Sequence, residues 1–232
     1  MHFQHSADIW RDFPTLVPGV IYADGITSDA ETQARAGMFA AIAQARLAAG
    51  PEAELAEIQA WRRAFARMGL KPTQYRCAAE SLLRRFRKEG SLPRLHPLVD
   101  LCNAVSLAFA IPVAVLDVDT IAWPLEVRYA AGDEDYLTFS GDVEHPSQHE
   151  VIFADGAGQA HARRWSNRQS GMSAVRGSTT AALIVAEAMH DSASSDVPAL
   201  TAALAGELGA VWPVTPASAV LAASSPRFTF GP

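Results

Sequence analysis

The sequence predicts an α/β fold, and three observations carry that expectation. Runs with apolar residues at three- and four-residue steps alternate with short β-branched runs, the pattern of helices interleaved with strands. Three of the β-type runs, Val20 to Ala23, Val113 to Val118 and Thr179 to Met189, are apolar enough to lie in a core. With 232 residues, 49% hydrophobic and 19% charged, the chain is long and apolar enough to bury that core in one domain.

The elements follow in order. Val20 to Ala23 enters the core as a strand and turns at Asp24-Gly25. An Ala-rich helix is expected from Ser28 to about Ala49, stopped by Gly50-Pro51. A second runs from about Pro51 to Met68 and buries Leu55, Ile58, Trp61 and Phe65, and a third, Gln74 to Glu89, turns Leu82, Leu83 and Phe86 inward and its arginines outward. After the linker Ser91 to Leu95, Pro97 opens a helix to about Ala110, with His96 at its cap and Leu98, Leu101, Val105 and Phe109 on one face. Ile111-Pro112 ends it, and the strand Val113 to Val118 follows. Leu125 to Ala131 and Tyr136 to Phe139 suggest one hairpin; Val151 to Ala154 and Gln159 to Trp165, around Asp155-Gly156-Ala157-Gly158, make a clearer one. Thr179 to Met189 reads as a strand covered on both faces, and Val197 to Leu208 as the final helix. No repeat or boundary divides the chain, so residues 1–232 form one domain, with a core of about 10–210 and an extended tail over 211–232.

Composition excludes several classes of function. No apolar run reaches bilayer length, and the start MHFQHSADIWRDF lacks the form of a secretory signal, which places the protein in the cytoplasm with no membrane partner. Only Cys77 and Cys102 are present, without CxxC, so neither a disulfide framework nor a cysteine zinc site is expected. His145 and His149 are four apart but in loop sequence, and no metal or other cofactor is expected. Phosphate-cradling GxxxxGK[ST] and GxGxxG loops and GxSxG are absent. The net charge of −6 argues against nucleic acid until its distribution is considered. Arg62, Arg63, Arg67, Lys71, Arg76, Arg84, Arg85, Arg87, Lys88 and Arg94 crowd ten of the 19 basic residues between Trp61 and Arg94, against only Glu80 and Glu89. Such a face can meet phosphates; a solvated helical surface has the same composition.

The stretch His96 to Asp119 carries the chemistry-bearing candidates. Asp100 and Asn103 lie one turn apart, and Asn103 two turns from His96, so the three share one side of a helix that could line a site. Asp117 and Asp119 punctuate the following strand; a buried helix and strand with a solvated acidic turn accounts for the same residues. Arg163 to Ser170 offers three guanidiniums, the Trp165 ring and the polar groups of Ser166 and Asn167 at a strand end, where ligands are often held, or where a surface turn is salt-bridged. Glu187, near the end of an apolar strand, either reaches solvent or has a partner such as an arginine.

The run HPLVDLCNAV from His96, followed by Ile111-Pro112 and Leu116-Asp117-Val118-Asp119, resembles the B3/B4 domain of the phenylalanyl-tRNA synthetase β subunit, with its pattern N-x-V-V-D-x-T-N-Y-V … Q-P-x-H-A-F-D-x-D. Leu125 to Ala130, Glu150 to Asp155, Arg163 to Arg168 and Thr179 to Glu187 resemble freestanding, single-domain members of that family. The resemblance implies a three-layer α/β sandwich with a mixed sheet and a site that hydrolyses a wrongly esterified amino acid from tRNA, with aminoacylated tRNA as partner. The histidine of the family pattern falls on Ala114. The resulting expectation is a trans-editing aminoacyl-tRNA deacylase. Asn103, Asp117 and Glu187 would be its catalytic groups, His96, Asp100, Arg164, Trp165, Ser166, Asn167 and Arg168 would bind substrate, and Arg84, Arg85, Arg87 and Lys88 would hold tRNA phosphates. The competing expectation is a binding module for tRNA or an amino acid that kept the fold and lost the reaction.

Overall fold

A computed structural model describes residues 1–231. The strands are β1 (His2–His5), β2 (Val17–Asp24), β3 (Val113–Asp117), β4 (Leu125–Tyr129), β5 (Tyr136–Leu137), β6 (Val143–Glu144), β7 (Val151–Ala154), β8 (Ala160–Arg163), β9 (Arg168–Gln169), β10 (Ala181–Ala188), β11 (Ala217–Val220) and β12 (Arg227–Thr229). The helices are α1 (Ala7–Asp12), α2 (Gln33–Ala49), α3 (Ala56–Arg67), α4 (Ala78–Glu89), α5 (Pro97–Phe109) and α6 (Ala193–Val211).

Two larger sheets form. One has the order β12-β1-β4-β7-β8-β9 and is mixed, since β1 runs parallel to β4 while its other pairs are antiparallel. The other, β11-β2-β10-β3, is antiparallel throughout. β10 is buried along its whole length, and its alternation separates two cores. Ala181, Leu183 and Val185 meet Phe3, Leu125, Val127 and Phe153 of the mixed sheet. Ala182, Ile184, Ala186 and Ala188 meet Leu98, Leu101 and Val105 of α5 and Val197, Leu200 and Leu204 of α6. The layers are therefore helices, antiparallel sheet and mixed sheet, the three-layer α/β arrangement. α2 packs outside α5, while α3 and α4 add Ile58, Trp61, Phe65 and Leu83 to the core between the sheets. A Cβ on Gly19 would collide with Val197 and Thr201 side chains, so glycine in β2 lets α6 press onto the sheet.

Several expected elements are revised. Leu125 to Ala131 and Tyr136 to Phe139 do not pair with each other: β4 lies between β1 and β7, and β5 pairs with β6. The long first strand and the early start of α6 exceed the expected spans because β2 extends through Pro18-Gly19 and α6 tolerates Pro198. That proline forgoes only a bond to the carbonyl of the exposed Ser194, which water can take. α2 begins at Gln33 and α4 at Ala78, later than expected. The N-terminus and tail, placed outside the core by the sequence, supply β1, β11 and β12. No helix among the described residues is long and apolar enough to cross a membrane.

Candidate functional site

The local chemistry of α5 builds the first half of a site. His96 caps the helix, its Nδ1 accepting from Leu98 N at 3.2 Å, and Pro97 fills the first position, where no donor is needed. Leu98, Leu101, Cys102 and Val105 face the antiparallel sheet. The opposite side therefore carries Asp100, Asn103, Ala104 and Leu107, which line a groove of about 570 Å³. α2 forms its facing wall with small residues, Gly37, Ala40 and Ala41, and Gln44. The third wall is the segment Gly90–Leu95, which leaves α4 through Gly90 at φ +74°. Asp100 Oδ1 accepts from Leu95 N at 3.0 Å and ties that segment to α5.

The Asn103 carboxamide is half-buried and makes no hydrogen bond among the described residues. Two donor positions and a carbonyl oxygen thus face a space of mixed lining, in which small apolar side chains meet Gln44, Arg94 and Asp100, and such a mixture can hold a ligand. Phe86 of α4 stands in the groove floor and Arg94 in its wall, so Arg94 is the cation at the groove, while the basic residues of α4 lie on other sides of that helix from Phe86. That basicity is partly spent internally. Arg84 and Arg87 both hold the buried Glu52 carboxylate, at 3.3 and 2.8 Å, and Arg85 pairs with Glu89 at 2.9 Å. Arg62 and Arg76 likewise hold Glu80. Lys88 and Arg94 have no carboxylate partner among the described residues. His96 faces inward; burial holds its imidazole below the ordinary value, against the opposing pull of Asp100.

The remaining expected site residues lie elsewhere. Asp117 closes β3, its Oδ2 accepting from Thr179 Oγ1 at 2.5 Å and Oδ1 from Asp119 N at 3.1 Å. Glu187 lies toward the other end of β10, because it is Ala182, five residues away, that pairs with Asp117; strand rise makes that offset about 17 Å. Glu187 is buried between the sheets, and its partners are not arginines. Oε1 accepts from Trp165 Nε1 at 3.0 Å and from His5 Nε2 at 2.7 Å, and its backbone oxygen accepts from Trp61 Nε1 at 3.2 Å. Ala114 pairs with Val185 on the same face of the sheet, so the family's histidine position adjoins this cluster, to which β1 contributes His5. Asn103, Asp117 and Glu187 are thus not brought together.

In the turn after β8, Arg163 is clamped by Glu150 and Glu144. Arg164 stacks 4.7 Å from the Tyr75 ring, and Trp165 is fully buried, edge-on to Phe13 and Trp61. Ser166 O accepts from Ala78 N, Asn167 Nδ2 donates to Arg76 O, and Arg168 pairs with Glu144 at 3.0 Å. This turn braces α4 against the mixed sheet. Three potential metal ligands, Glu57, His190 and Asp196, do converge within 4.8 Å. Arg46 already holds Glu57 at 2.6 Å, and His190 and Ser192 hold Asp196, so the group is an internal charge network. Both cysteines are buried and free, and burial pushes the Cys77 thiol up to about 12, the wrong direction for a nucleophile.

Arg94 was read from the sequence as part of the basic face, but not as a groove residue, and the contribution of α2 was not read at all. The available signal for α2 was the pairing of Gly37 with Ala41 and Ala40 with Gln44 at four-residue steps, which marks a helix face of small residues that another element can approach closely.

These features define a class: a two-sheet α/β domain with a groove of mixed polar and apolar lining in its helical layer and Arg94 in its wall. The profile of the B3/4 domain matches residues 60–197, and the chain belongs to that family. No curated protein sequence matches it. Among solved structures, the chain is similar to an N-terminal fragment of the phenylalanyl-tRNA synthetase β subunit from Pyrococcus horikoshii, at 9% identity and a TM-score of 0.47, over 92% of this chain and 49% of the other. The chain thus spans about half the length of that fragment.

Proposed function

We propose that this protein binds the aminoacylated end of tRNA and hydrolyses the ester, with the amino acid in the groove between α2 and α5. The observation that supports this reading is the placement of the unpaired Asn103 carboxamide in a groove rimmed by Arg94 and the end of α4. The phosphates of an acceptor strand would meet Arg94 at the groove and Lys88 on the exposed surface of α4, two cations without internal partners. An aminoacyl ester is already activated, so the protein must chiefly orient a water and polarise the carbonyl. Asn103 Nδ2 would donate to the carbonyl oxygen as charge develops on it, and the ribose hydroxyl would leave with the proton released by the attacking water. Asp100, one turn away, has one oxygen on Leu95 N and the other available to orient that water.

A second reading rests on a specific observation. Ala114 replaces the histidine of the family pattern, and the neighbouring Glu187 is enclosed by His5 and two tryptophans, which supports a module that binds aminoacyl-tRNA without turning it over. Purified protein incubated with a panel of aminoacyl-tRNAs separates the two. Release of the amino acid from a subset of the panel supports hydrolysis; retention with protein-bound tRNA supports the binding module, and neither binding nor release defeats both.

A further inference from the structure

A second cavity, of about 640 Å³, opens between α1, the end of α3 and the loop before β7. Asp8 and Asp12 enter it from α1, Arg67 and Met68 from the end of α3, Tyr129 from β4 and His149 from the loop, with Phe13 at the base. Its opposite charges are only partly used up. Arg11 holds both oxygens of Asp12, at 3.0 and 3.2 Å, and Tyr129 Oη donates to Asp12 Oδ2 at 2.9 Å, whereas Asp8 is held by Arg11 at Oδ1 alone, which leaves its Oδ2 open. Those hydrogen bonds, Arg11's first and Tyr129's second, hold Asp12 below the usual carboxylate range, while burial and then Asp12 push the Tyr129 phenol up to about 12. The acceptor and donor states there are fixed at neutral pH. Arg67 lies 5.3 Å over the Phe13 ring and has no carboxylate partner among the described residues.

Backbone strain gathers at the same place. Apart from Ala110, which closes α5, the described non-glycine residues at positive φ are His149, Arg164 and Trp165. His149 lines the cavity; Glu150 beside it holds the Arg164 backbone N–H at 2.9 Å; and the Trp165 ring stands 4.8 Å from Phe13 at the base. Residues held in such conformations tend to cluster at ligand sites, where the surrounding structure over-determines them.

We infer that this cavity binds a free α-amino acid with an apolar side chain, as its zwitterion. The carboxylate would meet Arg67, the ammonium would meet the open Oδ2 of Asp8 with Asp12 beside it, and the side chain would lie along Met68. A plain anion would face two carboxylates, and a plain cation would face the unpaired Arg67. An esterified amino acid lacks the carboxylate that Arg67 requires. The site is therefore distinct from the groove and does not rest on the activity proposed for it; Asp8, Asp12 and Phe13 also lie outside the family match of residues 60–197.

Calorimetric titration with L-phenylalanine, 3-phenylpropionate and 2-phenylethylamine tests this on the whole chain. The zwitterion should bind at one site, and each analogue, lacking one charge, should bind at least about tenfold more weakly. Arg67→Gln and Asp8→Asn, both at exposed positions where folding is little at risk, should each weaken L-phenylalanine by about tenfold or more, while Arg227→Gln, also at an exposed position, leaves it unchanged. A melting curve on each variant checks that the fold is intact. Absence of binding by both L-phenylalanine and L-leucine overturns the inference. So does 3-phenylpropionate binding as tightly as the zwitterion, or full affinity in a folded Arg67→Gln protein.

Discussion

Asn103 and Glu187 are both polar residues in largely apolar surroundings, and the fold treats them in opposite ways. Glu187 is enclosed between the sheets, with a histidine and a tryptophan donating to its carboxylate. Asn103 is left without an internal partner beside open space. A buried polar group that is fully paired holds the fold together, and removing it strands its partners; a polar group left unpaired at a groove costs little to remove and is available to a ligand. The contrast separates residues that keep the fold from residues that can act, and it can be challenged from either side.

The largest effect should come from the enclosed side. Glu187→Ala leaves His5 and Trp165 as buried donors without an acceptor, and each buried donor left unsatisfied costs about 1–3 kcal/mol. Denaturant unfolding should show that loss. Glu187→Gln, which can still accept from Trp165, should lose less, and equal stability of all three proteins would dissolve the contrast.

A smaller effect should follow pH through another enclosed pair. Burial holds His161 below its ordinary value of 6.5, with Asp155 opposing the shift. The unfolded chain therefore takes up this proton before the folded chain does. The stability it contributes is complete above pH 6.5 and is lost as pH falls below it. For Asp155 burial alone would raise the value, yet N–H donors from Gln159, Ala122 and Ala157, together with His161, hold it below 3.8, so its contribution is lost at still lower pH. Melting temperatures should decline from pH 7 toward 5, and His161→Gln should flatten that decline. A flat profile in the parent protein would contradict a His161 imidazole held low by burial.

At the cations without internal partners the changes should spare stability altogether. Replacing Lys88 and Arg94 with glutamine should weaken tRNA binding and lower the magnitude of its salt slope by about 0.7–0.9 for each phosphate no longer neutralised. Arg84 and Arg87 are poorer probes, because they also hold buried Glu52 and their replacement would mix folding with binding. A salt slope unchanged in the double variant would move the tRNA-binding surface away from Arg94 and α4.

Much of the fold was legible from the chain. The capped start of α5 at His96-Pro97, the β7–β8 hairpin and the doubly covered β10 all follow from local chemistry, through a first-turn proline, a turn of residues that tolerate positive φ and an unbroken apolar run. Pairing across long distances was not legible. Nothing near His2 indicates that it will join Thr229, or near Tyr129 that its strand will pair with Val151 instead of with Tyr136, because those choices depend on the whole core. The same limit applied to the site. Periodicity placed Asp100 and Asn103 on one side of a helix, but only the packing of α2 and of Gly90–Leu95 against that side makes it a groove. Arg163 to Arg168 and Glu187 had the composition of a site, and their partners, at Glu150, Glu144 and His5, are between 13 and 182 residues away along the chain.

Asn103→Ala is the decisive variant for the groove. Truncating an unpaired carboxamide at a groove should leave the melting temperature and the tRNA affinity essentially unchanged. Removing a donor aimed at developing charge should lower single-turnover hydrolysis of a responsive aminoacyl-tRNA by about 10²-fold or more. A stable Asn103→Ala protein that hydrolyses the ester at the parent rate would contradict the assignment of Asn103 as the group that acts.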